Sequence, residues 1–175
     1  MVLRVQNGTP ITPTESTIRA RFLNVPYRAQ EQTQWCWAAC AEMIMSFLGI
    51  NHLRQCNISA LEFGANCCAM PGSSVCNRPW YVDRPLHAQS IQCIFFNSAI
   101  NFTSVQNGIN ADQPPIVNYQ WTDGGGHVAV LSGYYDDGDL YILDPWYGAG
   151  ARNYQFVLNG YGLGQWAYTY YGIRR

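Results

Sequence analysis

From Thr33 to Gly49 apolar residues return at helical spacing. Trp37, Cys40, Ile44 and Phe47 or Leu48 share one face, which predicts a helix that Gly49 can end. Beyond residue 114 the period becomes that of strands. PIVNYQW (115–121), HVAVLSGYY (127–135), DLYILDPW (139–146), RNYQFVL (152–158) and QWAYTYYGI (165–173) are aromatic and β-branched runs separated by Gly or Asp. DDGD at 136–139 predicts a tight hairpin turn between two of them. Residues 51–86, rich in Cys, Asn, Pro and Gly, read as loop; Leu86 to Ile100 reads as a second helix and Ser104 to Ala111 as a short third. Residues 1–24 alternate polar and apolar around two prolines, as an arm or edge strand does. Helices ahead of strands predict the α+β class. The organisation expected is one domain over 1–175: an arm at 1–24, a helical, cysteine-rich half at 25–113 and a β-sheet half at 114–175.

Charge removes several functions from consideration. Only 12% of the 175 residues are charged, against roughly 25% in an average soluble domain. The net charge is −1 and no basic block exceeds Arg174-Arg175, so the cationic stripe that nucleic acid or an anionic membrane requires is missing. No apolar run approaches the roughly 18 residues of a membrane helix. The opening MVLRVQNGTPITPTEST has neither the charged start nor the apolar stretch of a secretory signal. The expectation is a mature or excised domain behind an added Met1, with any signal or pro-segment outside this chain.

The cysteines favour export. There are seven: Cys36, Cys40, Cys56, Cys67, Cys68, Cys76 and Cys93. An odd total with one member set apart by context suggests a reactive thiol and a remainder. The remaining six could form three disulfides, in any of 15 connectivities, and disulfides persist in oxidising compartments. The alternative is a zinc knot of Cys67, Cys68, Cys76, Cys93 and His87, although no C-x2-C pair is present and adjacent Cys67-Cys68 is awkward for tetrahedral ligation.

The cysteine set apart is Cys36, wedged between Trp35 and Trp37 in QEQTQWCWAAC. A thiol attacks as its thiolate, which a helix N-terminus and a neighbouring imidazolium stabilise. A helix beginning near residue 35 puts Cys36 in its first turn, and the partner must then come from elsewhere in the fold. Of the three histidines, His52 and His87 lie in polar, loop-like surroundings. His127 opens an apolar strand directly after Gly124, Gly125 and Gly126, where a substrate or backbone can approach closely. An imidazole needs an acceptor to fix its tautomer. Across a hairpin centred near residue 137, His127 faces residues near 145–147, which brings Asp144 within reach. Asp144 could equally begin an Asp-Pro turn, and Asp123, Asp136, Asp137 and Asp139 all sit at turns.

These residues resemble a papain-type cysteine peptidase. Gln30, five residues, then Cys36-Trp37-Ala38 matches the nucleophile motif, and the order Cys36, His127, Asp144 matches the order of the triad. The resemblance is closer to the bacterial branch of secreted papain-like proteases, which includes an effector injected into plant cells. It rests on VPYRAQ…CWAACAEMI, PIVNYQW…GGGHVAVLSGY and LYILDPWYG, and covers about residues 24–173, with 52–93 least matched. It implies a papain-like fold with the nucleophile helix packed on the C-terminal antiparallel sheet. It implies that Gln30 and the Cys36 N–H bind the oxyanion, worth ~3–4 kcal/mol per donor. Trp146 would shield the His127–Asp144 contact, Trp37 would pack inward, and Trp35, Gly125, Gly126 and Trp146 would line the cleft and bind substrate. Two departures stand: Asp144 where papain has Asn, and Cys40, either a small buried hydrophobe or the partner of a later cysteine.

The expected function is a secreted cysteine endopeptidase, a protease or toxin/effector domain, that works as a monomer on protein or peptide through a covalent acyl-enzyme. No cofactor and no metal are expected. The same residue order also serves glutamine deamidases, transglutaminase-like toxins and peptidoglycan amidases, and a silent binding module could retain the fold.

Overall fold

The computed structural model describes residues 19–175, together with the backbone of a short pairing between Val5–Gln6 and Thr9–Pro10. The arm expected at residues 1–24 therefore lies mostly outside the described residues. Its last part, β1 (Ala20–Phe22), is an edge strand as the alternation suggested.

The helix expected at 33–49 is α1 (Cys36–Phe47). Every residue from Trp37 to Met45 is buried, so this helix runs through the interior. Just past its end Gly49 N–H bonds Ser46 O at 3.1 Å, and the φ of 87° at Gly49 lets Ile50 N–H reach back to Met45 O at 2.8 Å. Such closure favours a residue without Cβ.

After α1 come α2 (Gln55–Phe63), α3 (Asp83–Ala88), β2 (Gln92–Phe96) and α4 (Phe102–Asn110). The sheet half follows with β3 (Ile116–Trp121), β4 (Gly126–Tyr135), β5 (Asp139–Asp144), β6 (Gly148–Asn153), α5 (Tyr154–Leu158) and β7 (Gly164–Arg174). The strands form one antiparallel sheet in the order β2-β7-β3-β4-β5-β6, with β1 beside the far end of β4. Both α1 and α4 pack on β4, so its run from His127 to Gly133 is continuously buried rather than alternating. Trp35, Trp37, Ala38, Met43 and Ile44 meet Val128, Val130, Leu131 and Ile142 in this core. The fold is α+β, as expected.

Three elements differ from the sequence pattern. Residues 51–86 are not all loop: α2 forms over Gln55–Phe63 around the single buried apolar Ile58, closed by Gly64 at φ 61°. Leu86–Ile100 is not a second helix. The chain leaves α3 at Ala88, turns through Ser90 at φ 59°, and gives QCIFF to β2, which pairs along the tyrosine-rich β7. Residues 152–158 are a strand only as far as Asn153. The Asn153 side chain then accepts Gln155 N–H at 3.0 Å and starts α5.

The cysteines form two disulfides, Cys56–Cys68 and Cys67–Cys76, rather than three. The adjacent pair thus serves two different partners, and the zinc alternative loses Cys67, Cys68 and Cys76 as ligands. Cys36, Cys40 and Cys93 are free.

Candidate active site

Cys36 is the first residue of α1, partly exposed, with Trp35 at the N-cap. The helix ladder begins with Ala39 N–H to Trp35 O at 2.9 Å, which leaves the Cys36 N–H without an intrahelical acceptor. The helix that Cys36 opens is held to the sheet immediately below. Cys40, one turn on and wholly buried, donates its thiol to Val128 O at 3.3 Å, next to His127. Burial first, then the charges of Cys36 and Asp144, push the Cys40 thiol well above its ordinary range. It is the small buried packing residue of the two readings.

His127 stands at the start of β4 with 7% of its side chain exposed. Its Nε2 meets Asp144 Oδ1 at 2.7 Å, and the ring lines the same cleft as the Cys36 thiol. With Nε2 turned to the carboxylate, Nδ1 is the nitrogen left for sulfur. Burial alone would lower the imidazole pKa, but the hydrogen bond and charge of Asp144, helped by the nearby Cys36, outweigh it and raise it to about 9.

Asp144 ends β5 and is 1% exposed. Burial raises a carboxyl pKa, yet here hydrogen bonds from His127 and from the N–H groups of Tyr147 and Trp146 (both 2.8 Å) bring it below its ordinary value. Asp144 thus does both things considered for it: it starts the Asp-Pro turn and it meets His127. Tyr161, at φ 59°, donates its hydroxyl to the second oxygen, Oδ2, at 2.9 Å.

The cleft above Cys36 encloses about 310 Å³ and includes Gln30, Gly124, Gly125, Gly126, His127 and Trp146 in its lining. Gly124 and Gly125 adopt φ of 97° and 82°, and a Cβ on Gly126 would lie 2.9 Å from Tyr119 O. The run of three glycines is therefore required by the turn and by the neighbouring strand. Gln30 is beside Cys36, its backbone N–H bonded to Pro145 O at 3.0 Å. Its two amide hydrogens engage the carbonyls of Gln32 (2.8 Å) and Thr33 (3.0 Å), and its Oε1 is buried without a partner.

One of the tryptophan expectations is corrected. Trp35 does not line the cleft: it is 0% exposed, with Nε1 donating to Cys76 O at 2.7 Å, because the cysteine-rich segment folds over it. Trp37 packs inward, as expected. Trp146 is 56% exposed on the cleft wall that it shares with His127. The enclosing rings are Trp121, stacked on His127 at 5.8 Å between centroids, and Tyr147, edge-on at 5.9 Å. Tyr119 lies directly opposite His127 in the β3–β4 register and stacks at 6.3 Å. Alternation along PIVNYQW puts Tyr119 and Trp121 on one face, so a hairpin closed at 122–125 would have revealed this wall.

An antiparallel sheet that faces a buried helix, with a cysteine opening the helix and a histidine on the sheet, is a papain-like arrangement. The sequence profile of the Peptidase_C39 like family matches residues 22–172, and the chain belongs to that family. It is a papain-like cysteine protease. Among solved structures it is similar to the peptidase domain of Streptococcus ComA, a bi-functional ABC transporter involved in quorum sensing. That match has 12% identity and a TM-score of 0.58, covering 84% of this chain and 96% of the other. It is also similar to a double glycine motif protease from an AMS/PCAT transporter in complex with the leader peptide. There the identity is 15% and the TM-score 0.51, with coverage of 89% and 95%. No curated protein matches the sequence.

Proposed function

We propose that this protease cuts peptide bonds through Cys36, His127 and Asp144 by way of a covalent acyl-enzyme. The observation that carries the reading is the His127 imidazole, bonded to a buried carboxylate and lining one cleft with the helix-opening thiol of Cys36. In the reaction, the Cys36 thiolate attacks the scissile carbonyl carbon. The imidazolium of His127 gives its Nδ1 proton to the departing amine, leaving a thioester. Water, deprotonated by His127, then releases the acid and restores the thiol. Asp144 keeps the ring oriented and its cation stabilised. The Cys36 N–H receives the oxyanion, and Gln30 joins it by giving up one of its two carbonyl partners.

The substrate is an extended peptide lying along Gly124–Gly126, opposite Trp146. A similar protease bound to a leader peptide supports a peptide occupant. Two disulfides support work in an oxidising compartment, as a secreted protease or effector related to the bacterial branch whose motifs the chain resembles.

The test is digestion of an unfolded protein by the native chain and by Cys36→Ala, read by mass spectrometry. Chain scission that falls about 10⁶-fold in the variant is expected. Intact chains carrying amide-to-acid changes would assign a deamidase instead. Undiminished scission by Cys36→Ala overturns the mechanism.

A further inference from the structure

The cysteine-rich segment does more than brace the fold. The start of α1 has no side-chain cap and no acidic residue in its first turn, so the helix does not fix its own N-terminus. Three consecutive residues of another segment supply that restraint from outside. Cys76 O accepts Trp35 Nε1–H at 2.7 Å. Asn77 Oδ1 accepts Gln34 N–H at 2.9 Å, while its Nδ2 donates to Thr33 Oγ1 at 2.9 Å. Arg78 O accepts Trp37 Nε1–H at 3.0 Å. Residues 33, 34, 35 and 37 are held, and Cys36 is the residue they bracket.

The strap is itself anchored. Cys76 is bonded to buried Cys67, its neighbour Cys68 is bonded to Cys56 on α2, and Arg78 lies over the Phe63 ring at 4.0 Å. Pro79, the next residue, lines the cleft. We infer that residues 76–78 form a disulfide-anchored strap that sets the direction of the Cys36 N–H and thiol, with Asn77 as its positioning residue. This rests on Cys36 being the nucleophile. Asn77 touches no reacting atom; it acts through the Thr33–Gln34 backbone, where a displacement of about 1 Å can cost 10²-fold in rate.

The test compares Asn77→Ala and Asn77→Asp in the full chain on a cleavable peptide, with Cys36→Ala as control. Asn77→Ala should lower kcat about 10- to 100-fold with KM little changed, and slow iodoacetamide alkylation of Cys36 in parallel. Asn77→Asp restores both contacts, since a carboxylate accepts from Gln34 N–H and from the Thr33 hydroxyl, and should return most of the rate. The inference falls if Asn77→Ala stays within about twofold of the native kcat. It falls too if the loss tracks only the unfolded fraction by circular dichroism and Asn77→Asp fails to recover it. If Asn77→Ala does not fold, Thr33→Val removes the outer contact alone: a roughly threefold loss in kcat is expected, and no loss overturns the strap. Scission surviving in Cys36→Ala would instead sink the nucleophile assignment. A dead Cys36→Ala beside a fully active Asn77→Ala would sink only the strap.

Discussion

His127 and Asp144 are delivered by neighbouring strands, β4 and β5, whereas Cys36 is delivered by the first turn of a helix reached through a loop. On the sheet side the backbone ladder does the positioning. β4 is paired to β3 from Ile116↔Val130 to Gln120↔Gly126, which includes Tyr119↔His127, and to β5 from Val130↔Leu143 to Tyr134↔Leu140. Moving the imidazole there would break many bonds together. On the helix side the last residues before Cys36 have no ladder, and discrete contacts from a disulfide-tied segment hold them. A ladder is redundant; a few side-chain contacts are not. The two sides should therefore fail differently when perturbed.

The largest effect is expected on the sheet side, at its one irreplaceable contact. Asp144→Ala removes the His127 acceptor and the cap of Trp146 and Tyr147 N–H, and should lower kcat/KM about 10³-fold. Asp144→Asn keeps an acceptor for the ring and the turn but loses the charge. Its basic pH limb separates the two contributions. In the native chain the imidazolium persists up to a pKa of about 9, so activity should fall only as pH rises through that value. Without the carboxylate charge, burial works against the cation and the limb moves to lower pH. The same raised pKa adds folding stability that is fully present below 6.5 and lost as pH rises through about 9. Urea titrations on either side of that window would read it; stability that instead grew with pH would contradict the ion pair.

On the helix side the effect is smaller and appears as stability. Cys67→Ala/Cys76→Ala opens a crosslink between residues nine apart, and should cost on the order of 2–3 kcal/mol in chemical denaturation. The rate should drop with it even where the chain remains folded, because the Cys76 carbonyl that meets Trp35 loses its anchor. A stability loss with an unchanged rate would show that the two sides of the cleft are equally self-sufficient.

The smallest effect belongs to the junction between the sides. Cys40→Ser keeps a donor for Val128 O and changes volume little, so a loss of about 1 kcal/mol or less and a rate within about twofold of native are expected. Measured by thermal melts, a larger cost would mean that the apolar character of Cys40, rather than its hydrogen bond, docks α1 on β4.

Legibility in the sequence followed the same division. The strands around His127 could be read because Gly and Asp punctuate runs of aromatic and β-branched residues. The turn at 136–139 then brought Asp144 near His127. The helix that Cys36 opens is equally clear from its apolar period. The cysteine-rich segment resisted, since α2 buries one face around Ile58 and Ser59 and its composition resembles loop. The segment QCIFF is apolar enough for either helix or strand, and only the unpaired edge of β7 selects the strand. Trp35 and Trp146 show the same limit. Both flank residues of the cleft, yet one is sealed beneath the Cys76 carbonyl and the other stands open on the wall.

What the chain determines by itself is local: periodicity, turn chemistry, and the presence of a thiol, an imidazole and a carboxylate in a meaningful order. These follow from backbone preferences and side-chain chemistry over a few neighbours. Which cysteines pair, which tryptophan faces water and which asparagine holds the loop ahead of Cys36 depend on contacts between segments as distant as Gln34 and Asn77. Such contacts form only once the core has chosen which surfaces to bury, and no short-range pattern encodes that choice.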